Sequence, residues 1–378
     1  MHDVQGKRGT LLQLLAAYML WTAAGVLGGS FMYLFYKGAG VSLAELVLSF
    51  FFWSAAPVFV IHLLSDRKDL DMRTVLVSGV VIVVVSYLLM ALAAPNALVL
   101  YAAQFLQGMC SFLFWVPFNV MYFEFSKDRA ATHGSVYFAI NPLFGVFLPL
   151  IGAVLASAYG FGLVFVLAAL VYALVIPFAF LTLGKRFFSF RLEGCLDGLK
   201  GFKTLMFLEG IYGGGITAAI AVIPLLYFTN PKDLGMYLAV TTLFSVLASF
   251  VISRLSDRSG KRKRYISLFG SGLGVTTALA SFAGTAFLWS AASSLRNFFS
   301  TLFYPFTTAI IMDNKHESLE GVFIGREWLL NTGRCLGIGL VFLCTALADI
   351  HLSLAFLGLV IAAYPLVVGS KRRHIRVE

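Results

Sequence analysis

The sequence has few charged residues, few cysteines and none of several short motifs that mark familiar soluble classes. Only 12% of its residues are Asp, Glu, Lys or Arg, against about 25% in soluble domains. The four cysteines have no Cys-x-x-Cys spacing, so neither a metal cluster nor a disulfide framework is indicated. The sequence has no Gly-x-x-x-x-Gly-Lys-Ser/Thr loop, which argues against ATP hydrolysis by that route. We therefore expect neither a metal nor a cofactor.

Long apolar runs are what the chain has instead. Hydrophobic residues make up 60% of it, and the mean hydropathy is +0.88. A run of about 18 or more apolar residues can cross a bilayer core of roughly 30 Å. Because lipid offers the backbone no hydrogen-bond partners, such runs must be helical. We predict twelve transmembrane helices, near residues 11–36, 41–63, 75–93, 97–123, 134–158, 161–183, 204–229, 233–253, 265–283, 285–312, 323–346 and 350–370.

The formal net charge of +10 is distributed in a way that argues against a nucleic-acid partner. If the predicted helices alternate in direction, 23 of the 28 Lys and Arg residues fall on the side of the membrane that also holds both termini. Such an excess marks the cytoplasmic side. We therefore predict a multi-pass protein of the plasma (inner) membrane, a monomer in the lipid bilayer, with cytoplasmic N- and C-termini.

A four-residue string repeats at half the chain length. Leu64-Ser65-Asp66-Arg67 returns as Leu255-Ser256-Asp257-Arg258, 191 residues later. A repeat of this length is typical of transporters built from two related bundles. The longest polar stretch divides six predicted helices from six, so we predict an N-terminal bundle over 1–183, a cytoplasmic linker over 184–203 and a C-terminal bundle with a tail over 204–378. Apolar and charged residues mix in the linker, which favours an amphipathic segment along the inner leaflet.

With these features the chain resembles the major facilitator superfamily of transporters. The loop signature of that family is Gly-x-x-x-Asp-Arg-x-Gly-Arg/Lys-(Arg/Lys). The second copy here keeps Asp257, Arg258 and Gly260, whereas the first keeps Asp66 and Arg67 without the glycines. A further family pattern, Arg-x-x-Gln-Gly in the fourth helix, ends here in Gln107-Gly108 but has Gln104 in place of the Arg. The resemblance implies an all-α integral membrane protein with 12 transmembrane helices in two pseudo-symmetric six-helix bundles.

The resemblance also implies a role for the paired loops. Each Asp would face the N-terminus of a helix in the opposite bundle, where a negative charge is stabilised. Asp66 is expected near Val322–Arg326 at the start of helix eleven, and Asp257 near His133–Val136 at the start of helix five. Such contacts would hold the cytoplasmic gate closed. The alternative is that the loops only fix topology through their positive charge.

Ionisable residues deep inside predicted helices are candidates for function, because each is costly in lipid unless it is paired or hydrated. Four stand out: Glu209, Arg296, Glu327 and Arg334. In the family that the chain resembles, helices one, four, seven and ten surround a central cavity. That arrangement would bring Arg296 together with Tyr18, Trp21, Gln104, Gln107, Tyr212 and Asn297.

We expect Arg296, helped by Arg334, to bind an anionic or carboxylate-bearing solute, since guanidinium groups suit carboxylates. Glu209 or Glu327 would be the protonatable partner that couples transport to a proton. The alternative is a fixed Glu–Arg pair that only stabilises the second bundle, and Glu327 with Arg334 fits it best. The run Gly213–Gly215 indicates either a bend that opens a gate or a close contact between helices.

These observations predict a secondary active transporter that moves a small solute across the membrane by alternating access. Two alternatives stay open: a lipid or amphiphile flippase or exporter of the same fold, and a non-transporting membrane sensor. A membrane-embedded enzyme would need His or acidic residues clustered at one membrane face. The six histidines are scattered over loops, tails and helix ends, so we expect no enzymatic activity.

Overall fold

The computed structural model describes residues 2–125, 130–182, 186–256, 262–312 and 318–370. The helices of the N-terminal half are α1 (His2–Gly38), α2 (Leu43–Leu64), α3 (Met72–Leu92), α4 (Ala97–Phe125), α5 (Ala130–Tyr159), α6 (Phe161–Ala173) and α7 (Val175–Thr182). Two short strands, β1 (Leu70–Asp71) and β2 (Phe187–Phe188), and helix α8 (Leu192–Asp197) lie at one end of the bundle. The helices of the C-terminal half are α9 (Lys203–Val222), α10 (Pro224–Tyr227), α11 (Pro231–Ser256), α12 (Arg262–Ala280), α13 (Ala286–Met312), α14 (Leu319–Leu347) and α15 (Ile350–Ser370).

Each of the twelve predicted segments coincides with helix in the structure, which confirms the predicted fold class. The sixth segment is divided into α6 and α7, and the seventh into α9 and α10. Pro224 starts α10, a position that suits a residue without a backbone N–H. Within the described residues, ten spans are long and apolar enough to cross a membrane. The other two predicted segments correspond to helices α12 and α13.

Side-chain caps fix where several of these helices begin. Ser42 and Glu45 form a capping box at the start of α2, in which each side chain bonds the backbone N–H of the other residue. Asp71 caps α3 and Ser318 caps α14 by accepting bonds from backbone N–H groups of the first turn. The ends of these spans are therefore specified locally, by residues that the sequence places in its short polar gaps.

The two halves pack against each other along two pairs of helices. Helix α2 contacts α14, and α5 contacts α11. At the end away from β2 and α8, the Lys37 ammonium donates to the backbone carbonyl of Leu225, which joins α1 to α10. The halves are thus in contact both beside the linker and at the opposite end. We call these two ends the linker end and the loop end.

Part of the linker packs into the protein, and its position along the inner leaflet stays a prediction. Strand β2 pairs antiparallel with β1, with Leu70 opposite Phe188. Phe190 and Cys195 are buried in a cluster with residues of α2, α3, α4 and α14, among them Ile61 and Ile324. The apolar side of the linker therefore packs between the two halves. The sequence pattern alone did not distinguish burial in lipid from burial in protein.

Candidate functional site

Glycines bring α9 and α14 into backbone contact, and this contact positions the charged residues. A Cβ atom at Gly214 would clash with the backbone of Arg334, and one at Gly337 would clash with the carbonyl oxygen of Ile211. Helix α9 runs unbroken through Gly213–Gly215. The contact interpretation of this glycine run therefore holds for Gly214. Small residues in this role let membrane helices approach closely.

Four charged side chains form a continuous cluster across this contact. Arg326 Nη2 donates to Glu209 Oε1 at 2.9 Å, and Arg326 Nη1 lies 3.7 Å from Glu327 Oε1. Arg334 Nη1 lies 3.9 Å from Glu327 Oε2 and donates to Asn331 Oδ1 at 2.9 Å. Two carboxylates thus face two guanidinium groups, and the cluster has no net formal charge. Such balance reduces the cost of placing ions inside a membrane span.

The cluster borders a cavity of about 280 Å³. Its lining residues are Trp53, Glu209, Gly213, Thr217, Tyr304, Arg326, Leu330 and Arg334. Within the described part of the chain, Trp53 of α2 is the one lining residue from the N-terminal half. The cavity therefore lies at the boundary between the halves, with nearly all of its polar groups on the C-terminal side.

Two atoms of the cluster are buried without a hydrogen-bond partner among the described residues. They are Glu209 Oε2 and Arg326 Nε. The Glu209 side chain is only 6% exposed, against 23% for Arg334. An unsatisfied carboxylate oxygen in such a place is costly, so a proton, a water or a solute group would be stabilised there. Arg334 is the charge of the cluster that is most accessible from the cavity.

Arg296 lies in the interior of the C-terminal half and is not among the residues that line this cavity. It is 6% exposed, its guanidinium donates to Asn297 Oδ1, and its Nε has no partner among the described residues. Its charge lies close to the hydroxyls of Tyr212 and Tyr237. Tyr212 shares a hydrogen bond with Thr277 of α12 at 3.0 Å. The structure therefore brings Arg296, Asn297 and Tyr212 together, but not with Glu209, whose partner is Arg326.

The predicted residues of the N-terminal half have partners within that half. Gln104 donates to the Tyr33 hydroxyl at 2.7 Å, and Gln107 donates to Ser86 Oγ at 3.2 Å. Tyr18 and Trp21 are buried in an aromatic cluster, in which the Trp21 ring stacks on Phe114 at 3.6 Å between centroids; Tyr18 packs on Trp115 and Phe118. None of these four lines the cavity described here. Their role in substrate binding stays a prediction.

Sequence reasoning missed Arg326 and Trp53 as members of the site. We expected Arg326 at the start of helix eleven. Helix α14 instead begins at Leu319, so Arg326 lies about two turns into the helix. Trp53 resembles the many aromatic residues that only pack. A usable signal was present: Gly210/Gly214 and Gly333/Gly337 are two Gly-x-x-x-Gly pairs, which predict close helix contact.

Asp66 has a different partner from the one expected at the start of helix eleven. Its carboxylate pairs with Arg191 of the linker at 3.2 Å, and its backbone N–H donates to the carbonyl of Phe190. Its φ is +64°, in the left-handed region that a tight turn requires. The backbone N–H of Arg67 bonds the Leu64 carbonyl within the same turn. Asp257, Arg258 and Gly260 lie outside the described residues.

Arg186 of the linker bridges the two halves at the linker end. Its guanidinium pairs with Glu124 of α4 and, at 3.2 Å, with Glu320 of α14. The linker thus provides the ionic contact between the halves that was expected from the Asp66 loop. The described residues include no group of three or more His, Cys, Asp or Glu that could hold a metal ion.

Comparisons with known proteins agree with this architecture. A POT family transporter in complex with a thioalcohol conjugated peptide has a TM-score of 0.73 at 13% identity, with 96% of each chain covered. The E. coli fucose:proton symporter FucP has a TM-score of 0.69 at 15% identity, with 96% of this chain and 98% of that chain covered. The human organic anion transporter MFSD10 (TETRAN) has a TM-score of 0.66 at 13% identity, with 96% and 99% covered.

At these identities the likeness to solved structures establishes the fold alone. No curated protein sequence matches this chain. The family model of the Major Facilitator Superfamily matches residues 9–189, the first of the two bundles that share this fold. Residues 9–189 therefore match the major facilitator superfamily, which confirms the resemblance seen in the sequence.

Proposed function

We propose that this protein is a secondary active transporter that moves a small carboxylate-bearing solute by alternating access, coupled to protons. The observation that carries the proposal is the charge-balanced cluster of Glu209, Arg326, Glu327 and Arg334 beside a cavity between the halves. Ionisable groups within membrane spans typically mark substrate and ion pathways. The cavity volume of about 280 Å³ suits a small solute better than a lipid.

Arg334 is the proposed anion site. Its side chain is the most exposed of the four charged members and lines the cavity. Among the described residues its hydrogen bond to Asn331 uses Nη1, which leaves Nη2 and Nε for a solute. A planar guanidinium can bind a carboxylate with two parallel hydrogen bonds. Arg296, Asn297, Tyr212, Gln104, Gln107, Tyr18 and Trp21 are proposed as supporting residues that a different conformation would bring to the cavity.

Glu209 is the proposed proton carrier. Arg326 donates to one of its oxygens, and the other is buried without a hydrogen-bond partner among the described residues. A proton on that second oxygen would remove the unsatisfied negative charge and loosen the pair with Arg326. Glu327 is a weaker candidate, because Asn331 and two arginines already contact it. We assign Glu327 a structural role that keeps Arg326 and Arg334 apart.

The gate at the linker end would be closed by the linker together with the Asp66 loop. When the halves separate at that end, Arg186 must release either Glu320 or Glu124, while the pair Asp66–Arg191 would hold the linker on the N-terminal half. Arg67 and Arg258 would also favour the cytoplasmic side through their positive charge, and Asp257, Arg258 and Gly260 stay the proposed second copy of the gating motif. We propose that the protein works as a monomer in the plasma (inner) membrane, with both termini in the cytoplasm.

The test is a proton-flux assay on purified protein in liposomes, with acetate, succinate, benzoate, a sugar and an amphiphilic cation as solutes. We expect carboxylate-dependent proton movement that Arg334→Ala and Glu209→Gln abolish. Lys232→Ala removes an exposed charge of the loop end and should behave as wild type. Solute uptake without proton movement would refute the coupling role of Glu209. Uptake of the sugar or the amphiphile alone would refute the anion assignment.

A further inference from the structure

We propose that Trp53 is a positioning residue for the anion site: from the opposite half of the protein, it holds the Arg334 guanidinium ready for a carboxylate. This inference rests on the proposed function, since it deepens the role of Arg334. The Arg334 Cζ atom lies over the Trp53 ring at 5.4 Å from its centroid. A guanidinium within about 6 Å of a tryptophan face is attracted by the ring.

The contact leaves Arg334 able to bind a ligand. The Trp53 side chain has no acceptor atom for the guanidinium N–H groups, because its indole N–H is only a donor. Arg334 Nη1 is used by Asn331 at 2.9 Å, and both residues of the stack line the cavity. The ring thus restricts the long arginine side chain without taking its remaining donors. Restricting a flexible side chain before binding reduces the entropy that binding must overcome.

Both partners are held at the backbone by glycine contacts within their own halves. A Cβ atom at Gly108 of α4 would clash with the carbonyl oxygen of Trp53, so α4 presses directly on α2 at this residue. On the other side, Gly214 of α9 lies against the backbone of Arg334. The position of the ring relative to the guanidinium is therefore set by how the two halves approach each other.

This geometry ties the affinity of the anion site to the conformation of the transporter. When α2 moves away from α14, the Arg334 guanidinium loses its contact with the Trp53 ring, becomes free to rotate and is hydrated again. The site then binds a carboxylate more weakly and releases it. In the arrangement described here, with Trp53 over Arg334, the site binds more tightly. A solute on Arg334 would in turn favour the arrangement in which the halves are close at this level.

The first test measures acetate, succinate and benzoate binding to purified protein in nanodiscs by calorimetry. A cation–π contact of ordinary strength predicts that Trp53→Leu weakens carboxylate binding by about 2- to 30-fold. Trp53→Phe should have a smaller effect, because it keeps a ring. Phe52→Leu is the matched control, since Phe52 stacks on Tyr101 of its own half and should leave affinity unchanged. In transport, Trp53→Leu should raise KM more than it changes kcat.

A second test needs no ligand and keeps the inference falsifiable if Trp53→Leu is unstable. A double-mutant cycle of Trp53→Leu and Arg334→Met, measured by thermal unfolding, should show shifts that are smaller together than the sum of the single shifts. Additive shifts would overturn the inference, as would wild-type affinity or tighter binding in Trp53→Leu. Absence of carboxylate binding by the wild type, with a non-additive cycle, would instead overturn the proposed function and leave the Trp53–Arg334 contact standing.

Discussion

Removal of the Arg326 side chain tests whether the four charges form one balanced unit. Arg326 contacts both carboxylates, Glu209 at 2.9 Å and Glu327 at 3.7 Å. In Arg326→Met, Glu209 would lose its ion pair, whereas Glu327 would keep Arg334. Breaking a buried ion pair by removing one partner costs about 3–5 kcal/mol. Since the Arg326 side chain is 18% exposed, we expect the free energy of unfolding to fall by about 3 kcal/mol, the lower end of that range.

Glu209→Gln should cost less, about 1–3 kcal/mol, because the amide oxygen can still accept the Arg326 hydrogen bond. Adding Arg326→Met to this variant leaves Glu327 facing Arg334, so the remaining charges are again balanced. The double variant should therefore lose less stability than the sum of the single variants, by about 1–3 kcal/mol, as expected for residues in one network.

The assay is denaturant titration in mixed micelles, followed by circular dichroism, which gives the free energy of unfolding of each variant. Lys232→Met is the matched control, because it removes an exposed charge and should shift stability by less than about 0.5 kcal/mol. Additive effects of Glu209→Gln and Arg326→Met would refute the idea of one balanced cluster. So would an Arg326→Met variant as stable as the control.

Three further predictions concern packing, capping and the linker. Gly337→Ala should lower stability by about 1–3 kcal/mol, because the added methyl group has no room. Gly339→Ala is the control, since a methyl group there meets open space and should leave stability unchanged. Equal melting temperatures of the two variants would contradict the glycine contact. Asp71→Ala should cost about 0.5–2 kcal/mol by loss of the α3 cap. Partial burial raises the pKa of Asp71, but hydrogen bonds to its carboxylate outweigh this effect and leave the pKa below its usual value. The melting temperature of wild type should therefore exceed that of Asp71→Ala by its full amount above about pH 4, and the difference should shrink as the pH falls further. A difference that does not change with pH would exclude capping by the carboxylate. Arg186→Gln should increase the rate at which maleimide labels the buried Cys195 by about 2- to 5-fold, as expected for the loss of weak exposed ion pairs. The rate is measured in a protein whose other cysteines have been replaced. An unchanged rate would contradict the bridging role of Arg186.

The sequence was sufficient to predict the membrane fold, because the signals for it are local. A long apolar run must be helical in lipid whatever surrounds it, so twelve helical segments followed from composition alone. The duplicated Leu-Ser-Asp-Arg string and the polar linker then predicted where the two halves divide. The charged residues inside the helices were also visible, since Glu209, Glu327 and Arg334 interrupt apolar runs where charge is costly.

Only the tertiary structure decided which of these residues meet. The pair Glu209–Arg326 joins residues 117 positions apart, and it forms because the glycines of α9 and α14 set the spacing and register of two helices. Arg296 has the same sequence signal as Arg334, yet it is enclosed within its own half while Arg334 borders the cavity. Asp66 pairs with the linker because strand β2 lies against β1 beside it. The burial of a charge is predicted by its neighbours in sequence; its partner depends on how helices distant in sequence pack.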